Sequence, residues 1–221
     1  DPSMEVVGTA RNGEDALKLI VSTNPDVVTM DIEMPKMDGL SALKQIMEVR
    51  PIPVIMLSSL TTKGATETLK ALDYGAFDFI TKPSSLVKVS GPEVKEELLS
   101  KIRIASRAKL SKPSTIQRQV RPQPVHTHLE RSPGQYVQGK TKFKKIIAIG
   151  TSTGGPRALQ DVIPFIPGNI DAGILIVQHM PPGFTKSLAE RLDSMSQIHV
   201  KEAEDGDIMQ AGVAYLAPGD S

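Results

Sequence analysis

Residues 144–156 read KKIIAIGTSTGGP, an apolar run that stops at a glycine-rich turn carrying one serine, Ser152. The run predicts a β-strand, and Pro156 suits the first position of a following helix. The spacing Gly150-x-Ser152-x-Gly154 predicts a sharp turn in which glycines relieve crowding, so that the serine oxygen projects at the carboxyl end of a sheet. Ser152 is therefore a candidate nucleophile for acyl transfer. For the turn alone, two other interpretations stay open: a loop without chemistry, and a cradle of backbone N–H groups for an anion.

A histidine follows the next apolar run. Residues 172–178 predict a strand, and His179 comes directly after it. Because consecutive βαβ units are often neighbours in a parallel sheet, His179 can lie beside Ser152 and take its proton. Taken alone, His179 is better explained as a loop imidazole that caps the helix predicted over residues 185–195, but its pairing with Ser152 at equivalent strand ends favours the catalytic role. The backbone N–H of Thr153, at the start of the preceding helix, is a candidate for the oxyanion hole.

A carboxylate that orients the histidine would complete this arrangement. The aspartates considered for that role are Asp193, Asp205, Asp207 and Asp220. The first lies in a predicted helix, the next two lie in an acidic turn over residues 202–207, and the last stands one residue before the sequence stops. We therefore expect the orienting aspartate to lie beyond Ser221, and this 221-residue chain to be inactive by itself.

The other histidines do not compete with His179. His126 and His128 lie in a polar segment, and His199 falls in a polar stretch after the predicted helix. The spacing His126-x-His128 resembles a metal-ligand pair weakly, but no nearby carboxylate or thiol completes a site. The pair is interpreted as linker composition.

Residues 108–142 have the composition of a linker. Residues 108–145 hold nine of the 26 Lys and Arg residues, one of the 25 Asp and Glu residues, and four prolines. This is too polar to build a core, and it predicts a solvated tether between residues 1–107 and residues 143–221. Its basic character could serve a nucleic acid or an acidic surface, but Tyr136 and Phe143 alone make no stacking platform. We therefore expect no nucleic-acid partner.

The composition also limits the compartment. The chain contains no cysteine, which excludes a disulfide framework and a thiolate zinc site. No apolar run approaches the roughly 18 residues of a membrane span, and the first residues lack the basic start of a signal peptide. We expect a cytoplasmic monomer that does not insert into a membrane.

Residues 1–107 alternate short apolar runs with helical patterns, which is typical of a parallel sheet covered by helices. Strands are predicted over residues 6–8, 26–31, 53–59 and 75–83, and helices over residues 12–20 and 40–49. The segment after residue 142 begins a second series of the same kind. The sequence therefore predicts an α/β protein with two doubly wound parallel-sheet domains joined by a basic, proline-rich linker.

Three polar residues fall at the ends of successive predicted strands: Asp31, Ser58 and Lys82. In open α/β sheets, ligands bind at the carboxyl ends of the strands. A carboxylate, a hydroxyl and an ammonium group at this edge could converge on a phosphoryl group. Each residue alone has a simpler explanation, as a cap, a loop hydroxyl or a surface charge. Their combination predicts a phosphoryl site.

These residues resemble the receiver domain of two-component response regulators over residues 1 to about 107. The motifs that carry the resemblance are DIEMPKMDG over 31–39, MLSS over 56–59 and TKP over 81–83. The resemblance implies that Asp31 accepts a phosphoryl group and that Lys82 contacts it. It makes Ser58 the switch hydroxyl and Phe79 the switch aromatic. It also implies a Mg²⁺ ion held by Asp31 and by the backbone carbonyl of Glu33.

The receiver pattern contains elements that these 221 residues lack. It begins with a strand ending in an acidic pair that binds magnesium, then a helix, and only then the strand matching residues 4–9. We therefore expect the first domain to be truncated, without the acidic pair, and to have exposed strand edges.

The second domain resembles the catalytic domain of the CheB family, the chemotaxis protein-glutamate methylesterases. The resemblance covers residues 143–221, about the first half of that domain, and rests on four motifs: GTSTGGP over 150–156, QHMPPGFT over 178–185, KEAEDG over 201–206 and APGD over 217–220. It implies that Ser152 is the nucleophile and His179 the general base. The triad aspartate of the family lies in a later segment.

Together, the two resemblances imply a phosphorylation-regulated serine hydrolase. Its substrates would be glutamate methyl esters, and secondarily glutamines, of methyl-accepting chemoreceptors, with no cofactor for the esterase. A chemotaxis histidine kinase would phosphorylate Asp31 and relieve a block that the receiver places on Ser152. Two alternatives remain: a response regulator whose second domain binds a partner without catalysis, and a nucleotide-binding α/β domain built on the glycine turn. Neither gives His179 a role.

Overall fold

The computed structural model describes residues 1–82, 92–108, 143 and 145–219. These residues form two parallel sheets with helices packed against them. Apart from Ala108, the linker predicted over residues 108–142 lies outside the described residues. Within the described part of the chain, no helix is both long enough and apolar enough to cross a lipid bilayer.

The first sheet has three strands in the order β1-β2-β3, all parallel. Its strands are β1 (Val28–Asp31), β2 (Val54–Ser59) and β3 (Asp78–Lys82). Its helices are α1 (Gly13–Thr23), α2 (Gly39–Val49), α3 (Thr62–Asp73) and α4 (Pro92–Ser106). Successive parallel strands lie side by side because each crossover carries a helix over the sheet.

Alternate residues of β2 pack into apolar clusters on opposite faces of this sheet. Val54 and Met56 pack with α1, α2 and α3, whereas Ile55 packs with Ala105 of α4. All four side chains are buried. Helices therefore cover both faces, which confirms the doubly wound arrangement predicted for this domain.

The second sheet has four parallel strands in the order β4-β5-β7-β6. Its strands are β4 (Lys145–Thr151), β5 (Ala172–Gln178), β6 (His199–Glu202) and β7 (Val213–Leu216). Its helices are α5 (Gly155–Val162), which a single 3₁₀ turn continues over Ile163–Phe165, and α6 (Phe184–Met195). On β5, Ile174 and Ile176 are buried, while Leu175 and Val177 are exposed. The described helices thus cover one face of this sheet.

Side-chain caps explain where three helices of the first domain begin. Asn12, Asp38 and Thr61 each accept a hydrogen bond from a backbone N–H in the first turn of α1, α2 and α3. Such caps stabilise a helix by about 1 kcal/mol each. Asp38 and Thr61 lie in the loops that leave the carboxyl ends of β1 and β2, which is where the predicted phosphoryl site lies.

The strand predicted over residues 6–8 is wrong. Residues 4–10 form no regular element, and Val6 and Val7 are 81% and 47% exposed. A strand is stable only when its backbone groups find hydrogen-bonding partners. No described strand pairs with this segment, so its apolar residues have no sheet to join.

Three elements were not predicted. Helices α3 and α4 lie between and after recognised strands, and β6 lies in what was interpreted as a polar stretch and an acidic turn. Strand β6 pairs with β7 alone and forms an edge of the sheet. Its polar residues, among them His199 and Lys201, are accommodated because an edge strand is partly exposed to solvent.

The two domains share one buried apolar cluster. Helix α3 packs against α6 and α5. Phe79 of β3 stacks on Phe184 of α6 with ring centroids 5.2 Å apart and planes inclined by 8°. Both rings are buried. The first domain is therefore docked on the helices that flank the predicted catalytic turn.

Candidate active site

Strand pairing places Ser152 and His179 side by side. β4 and β5 are adjacent, with Thr151 opposite Gln178, so the next residue of each strand leaves the same edge of the sheet. The His179 N–H donates to the Thr151 carbonyl over 3.3 Å. Both Ser152 and His179 are exposed. The predicted adjacency of the two strand ends is thus confirmed, while the catalytic roles of their residues stay predictions.

The turn after Ser152 depends on two glycines. Gly154 caps α5 with a φ of +73°, a left-handed conformation that favours glycine. A Cβ on Gly155 would clash with Gln178 Oε1 and lie 2.7 Å from Thr151 Cβ. Gly150 was predicted to relieve crowding, but a Cβ there would meet no atom within 4 Å. The close approach is therefore at Gly155, since α5 starts directly against β5.

Two backbone N–H groups at the start of α5 already have hydrogen-bond partners. The Gly155 N–H donates to the Ser152 carbonyl over 2.8 Å, which closes the turn. The Gly154 N–H donates to Asp78 Oδ2 of the first domain over 2.9 Å. Within the described residues, the Thr153 N–H makes no hydrogen bond to the protein. Thr153 therefore stays the oxyanion candidate, next to an N–H that a carboxylate already occupies.

No described carboxylate bonds to the imidazole of His179. The histidine–aspartate pair that the structure does contain is His199 with Asp193, whose Nδ1 and Oδ1 lie 2.8 Å apart. Asp193 also accepts from the Val200 N–H over 2.7 Å. Because His199 begins β6 whereas Ser152 follows β4, this pair lies at the opposite edge of the sheet. It ties α6 to β6.

The acidic turn over residues 202–207 is closed by Lys201, whose ammonium donates to Asp207 Oδ1 over 2.9 Å and to Glu204 Oε2 over 3.1 Å. The hydrogen bond from Lys201 lowers the pKa of Asp207 below its usual 3.8, and the same bond raises the pKa of Lys201 above its usual 10.5. Asp207 is thus engaged in its own loop, two strands away from His179. Asp220 lies outside the described residues.

Replacing Lys201 by methionine is expected to lower the melting temperature at pH 7, since Asp207 loses its cation. The depressed pKa of Asp207 means that its contribution to stability is present above pH 3.8 and is lost as pH falls through the lowered value. The deficit should therefore shrink below about pH 4. Melting followed by circular dichroism from pH 3 to pH 7 measures it, with Lys186→Met on the exposed face of α6 as control. A deficit that does not change with pH would contradict this assignment.

The three residues predicted to form a phosphoryl site lie at the carboxyl ends of β1, β2 and β3. Lys82 Nζ lies 2.5 Å from Asp31 Oδ2, which confirms that these two strand ends converge. Ser58 is buried, and its hydroxyl donates to the Gly64 carbonyl over 3.0 Å. The Asp31 carboxylate is partly exposed, beside a cleft of about 520 Å³ whose lining includes Glu33 and Lys63.

The described residues do not fit a magnesium ion at Asp31. Mg²⁺ requires octahedral oxygen ligation, commonly with more than one carboxylate or phosphate. Asp31 Oδ2 is paired with Lys82, and Asp31 Oδ1 accepts from the Glu33 N–H over 3.2 Å. No group of three potential ligating side chains exists among the described residues. The implied ligation by Asp31 and the Glu33 carbonyl therefore stays a prediction.

Two functional candidates were missed in the sequence. Asp78 interrupts an apolar run and is buried, with Oδ1 bonded to the Phe79 N–H at 2.7 Å and to Lys101 Nζ at 3.3 Å. This leaves Oδ2 for Gly154. Gln178 ends an otherwise apolar strand, and its side chain is also buried. In both cases the signal was a polar residue at a position that the pattern assigns to the core.

Comparisons with known proteins agree with the two-domain arrangement. Residues 1–90 match the response regulator receiver domain, and residues 147–221 match the CheB methylesterase family. A protein of Pyrococcus abyssi (strain GE5 / Orsay), named protein-glutamate methylesterase/protein-glutamine glutaminase, is 49% identical over 220 residues; the match covers 100% of this chain and 58% of the relative. The chain thus spans little more than half of that relative's length.

Two crystal structures from Thermotoga maritima are also similar. The response regulator domain of its CheB is 48% identical, with a TM-score of 0.46, and the match covers 50% of this chain and 82% of that one. Its CheB methylesterase catalytic domain is 61% identical, with a TM-score of 0.35, over 36% and 42% of the two chains. The Pyrococcus abyssi relative aligns with both domains of this chain. By its two family matches, the chain belongs to the CheB methylesterase family over residues 147–221 and carries a response regulator receiver domain over residues 1–90.

Proposed function

We propose that the complete protein hydrolyses glutamate methyl esters on methyl-accepting chemoreceptors, with Ser152 as nucleophile and His179 as general base. The register of β4 and β5, with Thr151 opposite Gln178, carries this proposal because it brings the two residues to adjacent strand ends. A nucleotide-binding or purely partner-binding domain gives no reason for a serine and a histidine to meet there.

In the proposed reaction, His179 accepts the hydroxyl proton as Ser152 Oγ attacks the ester carbonyl carbon. The Thr153 N–H donates to the oxyanion that forms. The bond to the methoxy oxygen then breaks, and His179 returns the proton so that methanol leaves. Water, activated by the same imidazole, attacks the acyl-enzyme and releases the glutamate carboxylate and free Ser152. These steps balance without a cofactor.

Deamidation of glutamine follows the same sequence with ammonia as the leaving group. The name of the Pyrococcus abyssi relative covers both reactions. We propose deamidation as a secondary activity of the same serine, since an amide carbonyl is attacked by the same nucleophile and needs the same proton on its leaving group.

The receiver domain is proposed to control the esterase through β3. This strand carries Lys82 at its carboxyl end, against Asp31, and it carries Asp78 at its amino end, against Gly154 of the catalytic turn. Phosphorylation of Asp31 by a chemotaxis histidine kinase would replace the Lys82 contact and bias β3 toward another position. Ser152 itself is exposed in the docked arrangement. The proposed block therefore limits the space for a receptor segment and does not bury the hydroxyl.

Opening the domains should be easier when the contact between Asp73 and Arg191 is removed. Arg191 Nη2 lies 3.0 Å from Asp73 Oδ2, across the interface, and both side chains are partly exposed. Such pairs contribute up to about 1 kcal/mol, so Arg191→Ala should raise basal methanol release by at most about fivefold. Lys63→Ala, which removes an ion pair within the receiver, is the matched control. Unchanged basal activity in Arg191→Ala would count against an inhibitory interface.

The proposal is tested by incubating the complete protein with receptor-containing membranes that carry radiolabelled methyl esters. Release of labelled methanol, increased by a phosphodonor, is the expected result. Receptors bearing glutamine at the same positions should release ammonia more slowly. Absence of methanol release from any methylated receptor, with a folded enzyme, would refute the assigned reaction. We further propose that the protein works in the cytoplasm, as a monomer.

A further inference from the structure

We propose that Gln178 is a positioning residue that fixes the spacing between Ser152 and His179; this rests on the esterase function proposed above. Gln178 is the last residue of β5 and is 5% exposed. Its Nε2 donates to the Ser152 carbonyl over 3.0 Å and to the His179 carbonyl over 3.1 Å. One primary amide therefore uses both of its hydrogens to join the backbone of the nucleophile to that of the general base.

The orientation of the amide follows from these contacts. If Nε2 and Oε1 were exchanged, the oxygen would face two carbonyl oxygens and both hydrogen bonds would be lost. With Nε2 on the carbonyls, Oε1 lies against Gly155 at the start of α5 and is buried without a hydrogen-bond partner among the described residues. The positive end of the α5 dipole compensates that oxygen in part.

The same amide explains why the turn needs Gly155. Any side chain at that position would strike Oε1 and push the amide away from Ser152. The Ser152 carbonyl is then held from two sides, by the Gly155 N–H at 2.8 Å and by Gln178. Gln178 thus donates to the backbone carbonyls of both Ser152 and His179. We call the two hydrogen bonds from Gln178 Nε2 the Gln178 brace. A misplacement of about 1 Å between reacting groups costs on the order of 100-fold in rate, so loss of the Gln178 brace is expected to slow the reaction.

The test uses the complete protein carrying Gln178→Met, which keeps the side-chain length and removes both donors. A serine-directed fluorophosphonate titrates the active sites, and methanol release is expressed per titrated site. We expect kcat to fall on the order of 10- to 100-fold, with KM changed by less than about threefold. The rate of fluorophosphonate labelling should fall in parallel. A merely structural role would reduce the number of titrated sites and leave the rate per site unchanged.

Gln178→Glu provides an independent test of the positioning role. Its carboxylate repels the two carbonyls, but its protonated form regains one donor. The ratio of its rate to the wild-type rate should therefore rise as pH falls, a trend that a simple loss of stability would not give. Tyr215→Phe, which removes a partly buried hydrogen bond of 3.1 Å to the Ile208 carbonyl, is the control and should keep the wild-type rate per site.

The outcomes separate the two proposals. A wild-type enzyme that labels at Ser152 yet releases no methanol refutes the esterase proposal, while the labelling rates of the Gln178 variants still test the brace. Wild-type rates per site in both Gln178→Met and Gln178→Glu overturn the positioning role, whatever the substrate is.

Discussion

Methanol release is expected to fall by a factor on the order of 10,000 or more when Ser152 is replaced by alanine in the complete protein. The substitution removes one oxygen from an exposed turn, so the loss reports chemistry and not folding. The turn itself is held by Gly154, by Gly155 and by the amide of Gln178. None of these contacts uses the Ser152 hydroxyl.

The measurement compares labelled methanol released from methylated receptors by wild-type and Ser152→Ala enzymes at equal concentration. Receptor binding, measured separately by sedimentation with the membranes, should stay unchanged. Ser194→Ala is the matched control, because Ser194 is an exposed serine of the same domain whose hydroxyl donates only to the Arg191 carbonyl over 2.7 Å. Retention of most activity in Ser152→Ala would contradict the assignment of Ser152 as the nucleophile.

The response to phosphorylation is expected to disappear when Asp31 is replaced by asparagine. An amide is not an acceptor for the phosphoryl group, and the substitution also removes the charge that Lys82 Nζ meets at 2.5 Å. Basal methanol release should stay close to the wild-type value, or rise if the Lys82 contact helps to hold β3. A small-molecule phosphodonor should then leave the rate unchanged.

The assay measures esterase activity with and without the phosphodonor, together with incorporation of labelled phosphate. Asp38→Asn is the control, because Asp38 lines the cleft beside Asp31 and caps α2, and asparagine caps a helix equally well. This variant should still be phosphorylated and activated. An activation in Asp31→Asn equal to that of wild type would show that another residue accepts the phosphoryl group.

Much of this arrangement follows from patterns along the chain. Apolar runs that end in Asp31, Ser152 and His179 predicted strands that the structure contains, and the rule that consecutive βαβ strands are neighbours predicted the contact between β4 and β5. The predictions failed where strand formation depends on a hydrogen-bonding partner elsewhere in the chain. Val6 and Val7 had the composition of a strand but found no partner. Strand β6 had polar composition and found one.

The hydrogen bonds that Asp78 and Gln178 make around the site could not be predicted from the sequence, because they join residues that are distant along it. Asp78 reaches Gly154 across 76 positions, and Gln178 reaches Ser152 across 26. A polar residue within an apolar run signals that something must satisfy it, but not which backbone group does so. That choice depends on how α5 starts against β5 and on how the first domain docks, and neither has a local sequence signature.

The docking of β3 on the second domain has a consequence for which substitutions can accumulate at the domain interface. Asp78 meets Gly154, and Phe79 meets Phe184, so each half of the chain carries residues whose value depends on the other half. The effects of substitutions on the two sides of this interface are therefore expected to be coupled and not additive. Exchanging the receiver for that of a distant relative should therefore give a chimera that still folds as two domains, but whose esterase is no longer inhibited by the receiver.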